Sequence, residues 1–397
     1  MGDMRILFIA MADSVHTARW IGQLQGVGWD VHLFPACWPC RIHPQLRDVT
    51  VHGVGWWRPP ELAADLRVAG VWPFSRGAWM MDQAARRLGL DRSRAAQLAG
   101  VIRSLKPHVV HSLEMQRAGY LTLQVRQLLQ HQFPPWIYSA WGSDLSLFGR
   151  QPEHTERVKS VMASCNYFIS DCNRDVCLAT DYGFRGKVLG VVPGGGGFDL
   201  ASLYGCRAEG SVSRRLTIAV KGYHEDLYGG RALVALQAIH RCAELLRPYE
   251  IVVYSASQAV QSVVHHIRIV SGLDISVLSQ SAHVDMLHLM GRSRVAIGLG
   301  LSDGTPNTML EAMLMGALPI QSNTGAADEW IRDGENGLLV PPEDVMKVEQ
   351  AIRRAVADDT FVDRADEINA GIARERLDSK LIKPQVLEMY RKAGRSC

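Results

Sequence analysis

Short apolar runs alternate with stretches of helical periodicity along most of the chain. Arg5–Ala10 and Asp30–Pro35 read as strands on either side of a helix over His16–Val27, with Ser14 placed to cap it. His108–Ser112, Ile137–Ala140, Tyr167–Ser170 and Lys187–Val192 continue the pattern, each after a helical stretch. A glycine-rich break follows, Val192-Pro193-Gly194-Gly195-Gly196-Gly197-Phe198-Asp199. Consecutive glycines belong to no helix or strand interior; they suit a hinge or a backbone that must approach something closely. The pattern then restarts with strands at Leu216–Val220, Glu250–Tyr254, Ser276–Ser279, Val295–Gly298, Leu318–Gln321 and Gly337–Val340. Helices are predicted between them at Arg231–Glu244, Gln258–Val270 and Thr308–Met315, and the chain from Glu343 onward reads as helical. Strand–helix–strand spacing of this kind predicts an α/β protein with parallel sheets covered by helices on both faces. The expected division is a first domain over 1–198 and a second over 199–377, with a last helix at about 378–397 packing back on the first. Two such domains facing across a deep cleft would put both sets of strand ends on one crevice.

The length of 397 residues agrees with two or three domains. With 43 basic and 40 acidic residues the net charge is +3, which gives no global reason to expect nucleic-acid binding. The apolar run Ile6–Ala12 is too short to span a membrane and reads as a buried strand, so a cytoplasmic location is expected. The eight cysteines form no disulfide framework. Cys37 and Cys40 make a lone C-x-x-C, read either as a metal or redox pair or as two reduced thiols in a loop. Cys165, Cys172 and Cys177 match no common zinc spacing, and no D-x-D motif ends a strand, so no metal and no other cofactor is expected.

The most informative stretch runs from Ser302 to Met313. Asp303 and Gly304 open a tight turn, Thr305 and Pro306 follow, and Asn307 or Thr308 is placed to cap a helix carrying Glu311. The N–H groups of a first helical turn, with their positive dipole, offer a site for a diphosphate. Glu311, one turn inside, is placed to hold a pair of ribose hydroxyls. The same residues also suit an ordinary capped helix with a charged face.

Asp303-x7-Glu311 resembles the E-x7-E motif of the family 4 retaining glycosyltransferases, which have the GT-B fold of two Rossmann-like domains. Gly316-Ala317-Leu318-Pro319-Ile320 and Asp333-Gly334-Glu335-Asn336-Gly337-Leu338-Leu339-Val340 resemble the continuation of that family's pattern. Ser14-Val15-His16-Thr17-x-Arg19-Trp20, Leu105-Lys106-Pro107-His108-Val109-Val110-His111 and Trp141-Gly142-Ser143-Asp144 resemble its first half. The resemblance covers nearly the whole chain. It implies that the C-terminal half binds a nucleotide-diphosphate sugar and the N-terminal half a hydroxyl acceptor, such as a glycan, a glycolipid or a small molecule. Asp303 and the backbone of Gly304–Thr308 would lie at the sugar and diphosphate, with Glu311 on the ribose. Lys221 and Arg231 would stabilise the charge that grows on the leaving diphosphate, and Tyr254 and Ser255 would meet the base. The chain departs from the pattern in three places: Asp303 stands for the first glutamate, Lys221 and Arg231 are farther apart, and Trp141 replaces a frequent histidine. Trp141 is therefore read as a stacking or shape residue.

Residues that end strands of the first half complete the expected cleft: Asp13, Ser14, His16, Thr17, His111, Glu114, Gly142 and Asp144, the last favoured for sugar or acceptor hydroxyls. Residues 55–94 gather Trp56, Trp57, Trp72, Phe74 and Trp79 with several arginines. This segment suits peripheral membrane contact, a stacking platform for the acceptor, or a subdomain whose aromatics pack inward. A sugar-nucleotide epimerase of the same fold and a non-catalytic sugar-nucleotide-binding protein are the alternative readings. A nicotinamide dehydrogenase is disfavoured, because Ala10-Met11-Ala12-Asp13 lacks G-x-G-x-x-G.

Overall fold

The computed structural model describes residues 4–37, 41–55, 65–71, 93–225, 229–278 and 282–394. The chain divides into two units, Met1–Gly196 with Ile382–Cys397, and Gly197–Leu381. In the first, β1 (Arg5–Ala10), β2 (Asp30–Pro35), β3 (Thr50–Gly55), β4 (Arg67–Val71), β5 (Val109–Leu113), β6 (Trp136–Ser139), β7 (Tyr167–Ser170) and β8 (Lys187–Val191) form one sheet in the order 4-3-2-1-5-6-7-8. Each neighbouring pair is parallel. β5, β6 and β7 are buried along their whole length, polar His111, Ser112, Ser139 and Ser170 included. The Val15–Gly22 helix starts at Ser14, whose hydroxyl accepts from the His16 N–H at 3.2 Å. It stops well short of Val27, and Gly26 and Gly28 follow with φ of +72° and +77°.

The second unit repeats the scheme. β9 (Thr217–Lys221), β12 (Glu250–Tyr254), β13 (Ile275–Val277), β14 (Val295–Gly298), β15 (Leu318–Ser322) and β16 (Leu338–Val340) form a parallel sheet in the order 13-12-9-14-15-16. β10 (His224–Glu225) and β11 (Gly230–Arg231) form a short antiparallel pair outside it. Each sheet thus grows outward on both sides of its first strand. The strand order reverses beside β1 and β5 in the first unit, and beside β9 and β14 in the second. Loops leaving the carboxyl ends of those strands diverge to opposite faces, which opens a crevice at each switch point.

Two strands, β3 and β4, were not expected, and the helix predicted over Arg231–Glu244 is broken at Cys242 into Ala232–Arg241 and Ala243–Leu246. In the glycine-rich break, a Cβ on Gly197 would sit 2.5 Å from the Ser379 Cα. A close backbone approach within the second unit therefore requires glycine there. Of the Trp/Arg-rich segment, Trp56, Trp57, Trp72, Phe74 and Trp79 lie outside the described residues. Arg94 opens the Arg94–Leu105 helix with its guanidinium 4.3 Å from the centre of the Phe34 ring. Trp38, Pro39 and Cys40 also lie outside the described residues, while Cys37 is a free, half-buried thiol. Among the described residues no helix is long and apolar enough to cross a membrane.

The Ser379–Gly394 helix completes the first unit's core with Ile382, Val386, Met389, Tyr390 and Ala393. Its Tyr390 hydroxyl accepts from the Trp20 indole N–H at 2.7 Å and donates to His111 Nδ1 at 2.7 Å. That leaves the proton of the His111 ring on Nε2, which donates to the Ser139 hydroxyl at 2.8 Å. His111 is completely buried, and burial pulls its pKa down to about 3, so the chain of bonds is built on the neutral ring. Tyr390→Phe leaves the Trp20 N–H and His111 Nδ1 buried without partners. It is expected to cost about 1–3 kcal/mol in urea unfolding; a change indistinguishable from zero shows that neither group depends on the hydroxyl.

Candidate functional site

In the second unit the switch point gathers the residues with the chemistry. β14 leads through Leu299–Ser302 into Asp303 and the Asn307–Met315 helix. That helix begins at Asn307 with Pro306 before it, so neither Asn307 nor Thr308 is its cap, contrary to expectation. Proline fixes φ and needs no N–H there, and the first-turn amides face the loop end. The Asp303 carboxylate folds back to accept from the Gly304 N–H at 2.9 Å, and the Gly304 carbonyl accepts from the Ala326 N–H at 3.0 Å. The Thr305 hydroxyl is buried and accepts from the Trp330 indole N–H at 3.2 Å. These bonds fix the turn before any ligand enters.

Glu311 is 4% exposed. Its Oε1 lies 2.7 Å from Nε2 of His283, the first residue of the His283–Arg292 helix. The sequence reading missed His283, because nothing in the local pattern ties a helix-opening histidine to an acid in another helix. Tyr254 ends β12 buried against the same helix, its hydroxyl bonded to Thr308. Burial, then the Glu311 charge, raise its pKa. Its ring therefore belongs to the core, and only the exposed Ser255, at φ +52°, leaves the strand end toward solvent.

Lys221 ends β9 beside Tyr254 on β12, its Nζ 6.0 Å from the Tyr223 ring centre. Arg231 is tied to the β14 exit by its backbone: its N–H donates to the Leu299 carbonyl at 3.0 Å, and the Leu301 N–H donates to the Gly229 carbonyl at 2.7 Å. Gly229 sits at φ +72°, and a Cβ there would lie 2.7 Å from that of Leu301. The Arg231 guanidinium pairs with Glu343 at 3.2 Å. Arg231 thus joins the loop leading to Asp303.

In the first unit the equivalent switch point carries Met11–Ser14 after β1, Glu114 after β5 and Trp141–Asp144 after β6. His16 and Trp141 meet edge to face with ring centres 5.4 Å apart. Asp13, Ser14, His16, Trp141 and Gly142 all retain exposure. Four expected cleft residues do not. Thr17 and His111 are fully buried, Asp144 is 2% exposed and Glu114 8%. Asp144 Oδ2 accepts from the Tyr138 hydroxyl at 2.9 Å and the Trp141 N–H at 2.8 Å, so it shapes the Trp141 turn from behind. Glu114, at φ +82°, accepts from the N–H groups of Gln116, Arg117 and Ala118 at 2.8–3.2 Å and caps the π-helical turn Met115–Gly119. The Gln116 amide nitrogen, turned inward, donates to Asp144 at 3.2 Å and Glu114 at 2.7 Å. Burial raises both carboxyl pKa values; for Asp144 the neighbouring Glu114 charge adds to it.

Among the described residues, one group has metal-ligand spacing: Asp171, Cys172 and Asp175, buried, with ligand atoms within 4.8 Å of one another. The Arg174 guanidinium already lies 2.8 Å from the Asp175 carboxylate.

Two family models match the chain. One, described as glycosyl transferases group 1, matches residues 231–358, and one, glycosyl transferase 4-like, matches residues 79–171. Comparison with curated protein sequences gave no significant match. Among solved structures, Anabaena HepE with UDP and glucose superposes with a TM-score of 0.66 at 14% identity, covering 98% of this chain and 100% of that one. Sucrose-phosphate synthase from Thermosynechococcus elongatus gives 0.69 at 14% identity, covering 99% and 100%. A UDP-forming trehalose-phosphate synthase from Burkholderia xenovorans gives 0.68 at 14% identity, covering 98% and 99%. The likeness is one of fold, two Rossmann-like domains in each.

The buried Asp144 gives a signed pH dependence. A carboxyl whose folded pKa is raised contributes stability below its unfolded value of about 4, and that contribution is lost as pH rises through the folded value. Asp144→Asn keeps an acceptor without the charge. Its stability relative to the wild type should improve as pH rises from about 5 to 8, read from urea midpoints. A flat or opposite trend shows that the carboxylate ionises in place without penalty.

Proposed function

We propose, from the premise that this chain belongs to the group 1, family-4-like glycosyltransferases, that it moves a sugar from a nucleoside-diphosphate sugar to a hydroxyl acceptor with retention. The observation that carries this reading is the second unit's switch point, where the exits of β9 and β14 put Lys221, Arg231 and the start of the Asn307–Met315 helix on one crevice. The donor diphosphate lies against the first-turn amides of that helix, where the dipole favours negative charge. Glu311 takes the ribose hydroxyls, with His283 holding its other side. Lys221 and Arg231 meet the charge that develops on the departing phosphate.

The Asp303 carboxylate, held by the Gly304 amide, faces the sugar. The glycosidic bond breaks toward the diphosphate, and the acceptor oxygen attacks the same face. A phosphate oxygen of the leaving group receives the acceptor proton, so no protein nucleophile and no metal ion is required. HepE is described with UDP and with UDP-glucose, which makes UDP-sugars the first donors to try here. The acceptor belongs to the first unit, over the His16–Trp141 rings. It is a hydroxyl of a glycan, a glycolipid or a small molecule, and residues 55–94 are the route by which a membrane-held acceptor would be met.

Three measurements test the reading. A panel of UDP-, GDP-, ADP- and dTDP-sugars should contain one donor that raises the melting temperature; binding by none of them sinks the assignment. Glu311→Ala should weaken the binding of the matching nucleotide at least tenfold. Arg231→Ala and Lys221→Ala should lower kcat by about 10²-fold or more, as expected for groups that act on developing charge. Unchanged nucleotide affinity in the Glu311 variant removes the ribose role.

A further inference from the structure

The turn that leads from Asp303 into the Asn307–Met315 helix is held from behind by a tryptophan. Thr305 stands between Gly304 and Pro306, and the Pro306 carbonyl opens the helix by accepting from the Met309 and Leu310 N–H groups at 3.0 and 3.2 Å. Proline fixes its own φ and restricts the residue before it, so the direction taken at Thr305 is passed on to the first-turn amides. The buried Thr305 hydroxyl accepts from the indole N–H of Trp330, which is buried in the segment that follows β15. The same segment closes on the turn at a second place. Besides the bond from Ala326 to the Gly304 carbonyl, a Cβ on Gly325 would stand 3.3 Å from the Gly304 oxygen and 3.4 Å from the Asp303 Cβ.

Trp330 is in turn fixed by the Asp359–Arg376 helix. The Arg376 guanidinium lies 3.8 Å from the centre of the Trp330 rings, and its Nη1 donates to the Glu329 carbonyl at 2.9 Å. The Trp330 carbonyl accepts from Asn336 Nδ2 at 3.0 Å. Asn336 and Asn369 are both buried and bonded to each other twice: Asn336 Nδ2 donates to Asn369 Oδ1 at 2.9 Å, and Asn369 Nδ2 donates to the Asn336 carbonyl at 3.0 Å. The indole is therefore anchored at its face and at its backbone before its N–H reaches Thr305. Filling the space needs only the rings; the N–H adds a direction.

We propose that Trp330 is a positioning residue for the donor diphosphate: its indole N–H, held in place from Arg376 and Asn336, orients Thr305 and through it the start of the Asn307–Met315 helix. The proposal rests on the reading of that helix start as the diphosphate site. It makes recognition of the diphosphate, and not of the nucleoside, depend on one side-chain bond between the loop after β14 and the loop after β15.

The full chain is titrated with UDP, GDP, ADP and dTDP by calorimetry, and with uridine, guanosine, adenosine and thymidine by ligand-observed NMR. The diphosphate and nucleoside that the wild type binds are then measured on Trp330→Phe, Thr305→Val, Thr305→Ser and the Trp330→Phe/Thr305→Val double variant, each below its own melting transition. Trp330→Phe keeps an aromatic ring and removes the N–H. It should weaken the diphosphate at least about fivefold, as for the loss of one hydrogen bond, and leave the nucleoside within about twofold. Thr305→Val should do the same, and the double variant should bind no more weakly than the weaker single one, because both substitutions remove one bond. Thr305→Ser keeps the acceptor and should restore most of what Thr305→Val loses; this pair carries the test should Trp330→Phe not fold. The proposal is overturned if Trp330→Phe or Thr305→Val matches the wild type, if diphosphate and nucleoside weaken alike, or if the two losses add. Binding of no diphosphate to the wild type counts instead against the donor reading itself, and takes the proposal with it.

Discussion

A parallel strand cannot return by a tight turn, so each crossover must carry the chain back over one face of the sheet. That constraint, applied twice, sets where chemistry can occur in this protein. In each unit the first strand is central and later strands are added on both sides of it. The connections on the two sides cover opposite faces, and the loops beside the first strand part from one another. The groups that carry the functional reading hang from those parted loops: Met11–Ser14 and Trp141 in one unit, Lys221, Arg231 and Asp303 in the other. The sheet interiors contribute rigidity, because their strands are buried on both faces and mostly apolar.

The strands at the centres of the sheets were legible for that same reason. β1 and β14 are short runs of mostly apolar residues with no polar alternation, the signature of burial on both sides. Ser14 was legible as a cap because a hydroxyl before an apolar helical pattern has a local use. β3 and β4 were not, since Gly53, Gly55 and Gly70 interrupt them and the edge of a sheet asks less of its residues. The harder failures were polar. Glu114 and Asp144 follow strands, as site residues do, and His111, expected near a strand end, sits in the middle of β5; each is turned inward to satisfy a buried group. Sequence spacing does not distinguish a carboxylate that points at a ligand from one that holds the turn beneath it. The partner that decides the matter for His111, Tyr390, comes from the far end of the chain, while Tyr138, six residues before Asp144, turns that carboxyl inward.

The two switch points use opposite electrostatic devices. In the second unit, Lys221, Arg231 and the first-turn amides of the Asn307–Met315 helix lie at strand exits, and the nearby buried acid, Glu311, bonds to His283. In the first, two acids are buried side by side beneath the surface, bridged by an amide and several N–H groups. Burial on that scale holds the carboxyls toward their neutral form.

The Ser379–Gly394 helix has a consequence for the order of folding. Ile382, Val386 and Tyr390 complete a core whose other members come from the first part of the chain. During synthesis those first residues emerge long before the helix that finishes them. Until the whole second unit has followed, Trp20 and His111 lack the hydroxyl that links them, and the β1 side of the sheet lacks part of its cover. The second unit has no such debt to a later segment beyond Leu381. The half that is made last can therefore reach its native state first, and the half that is made first must wait, with apolar surface in need of protection while it does.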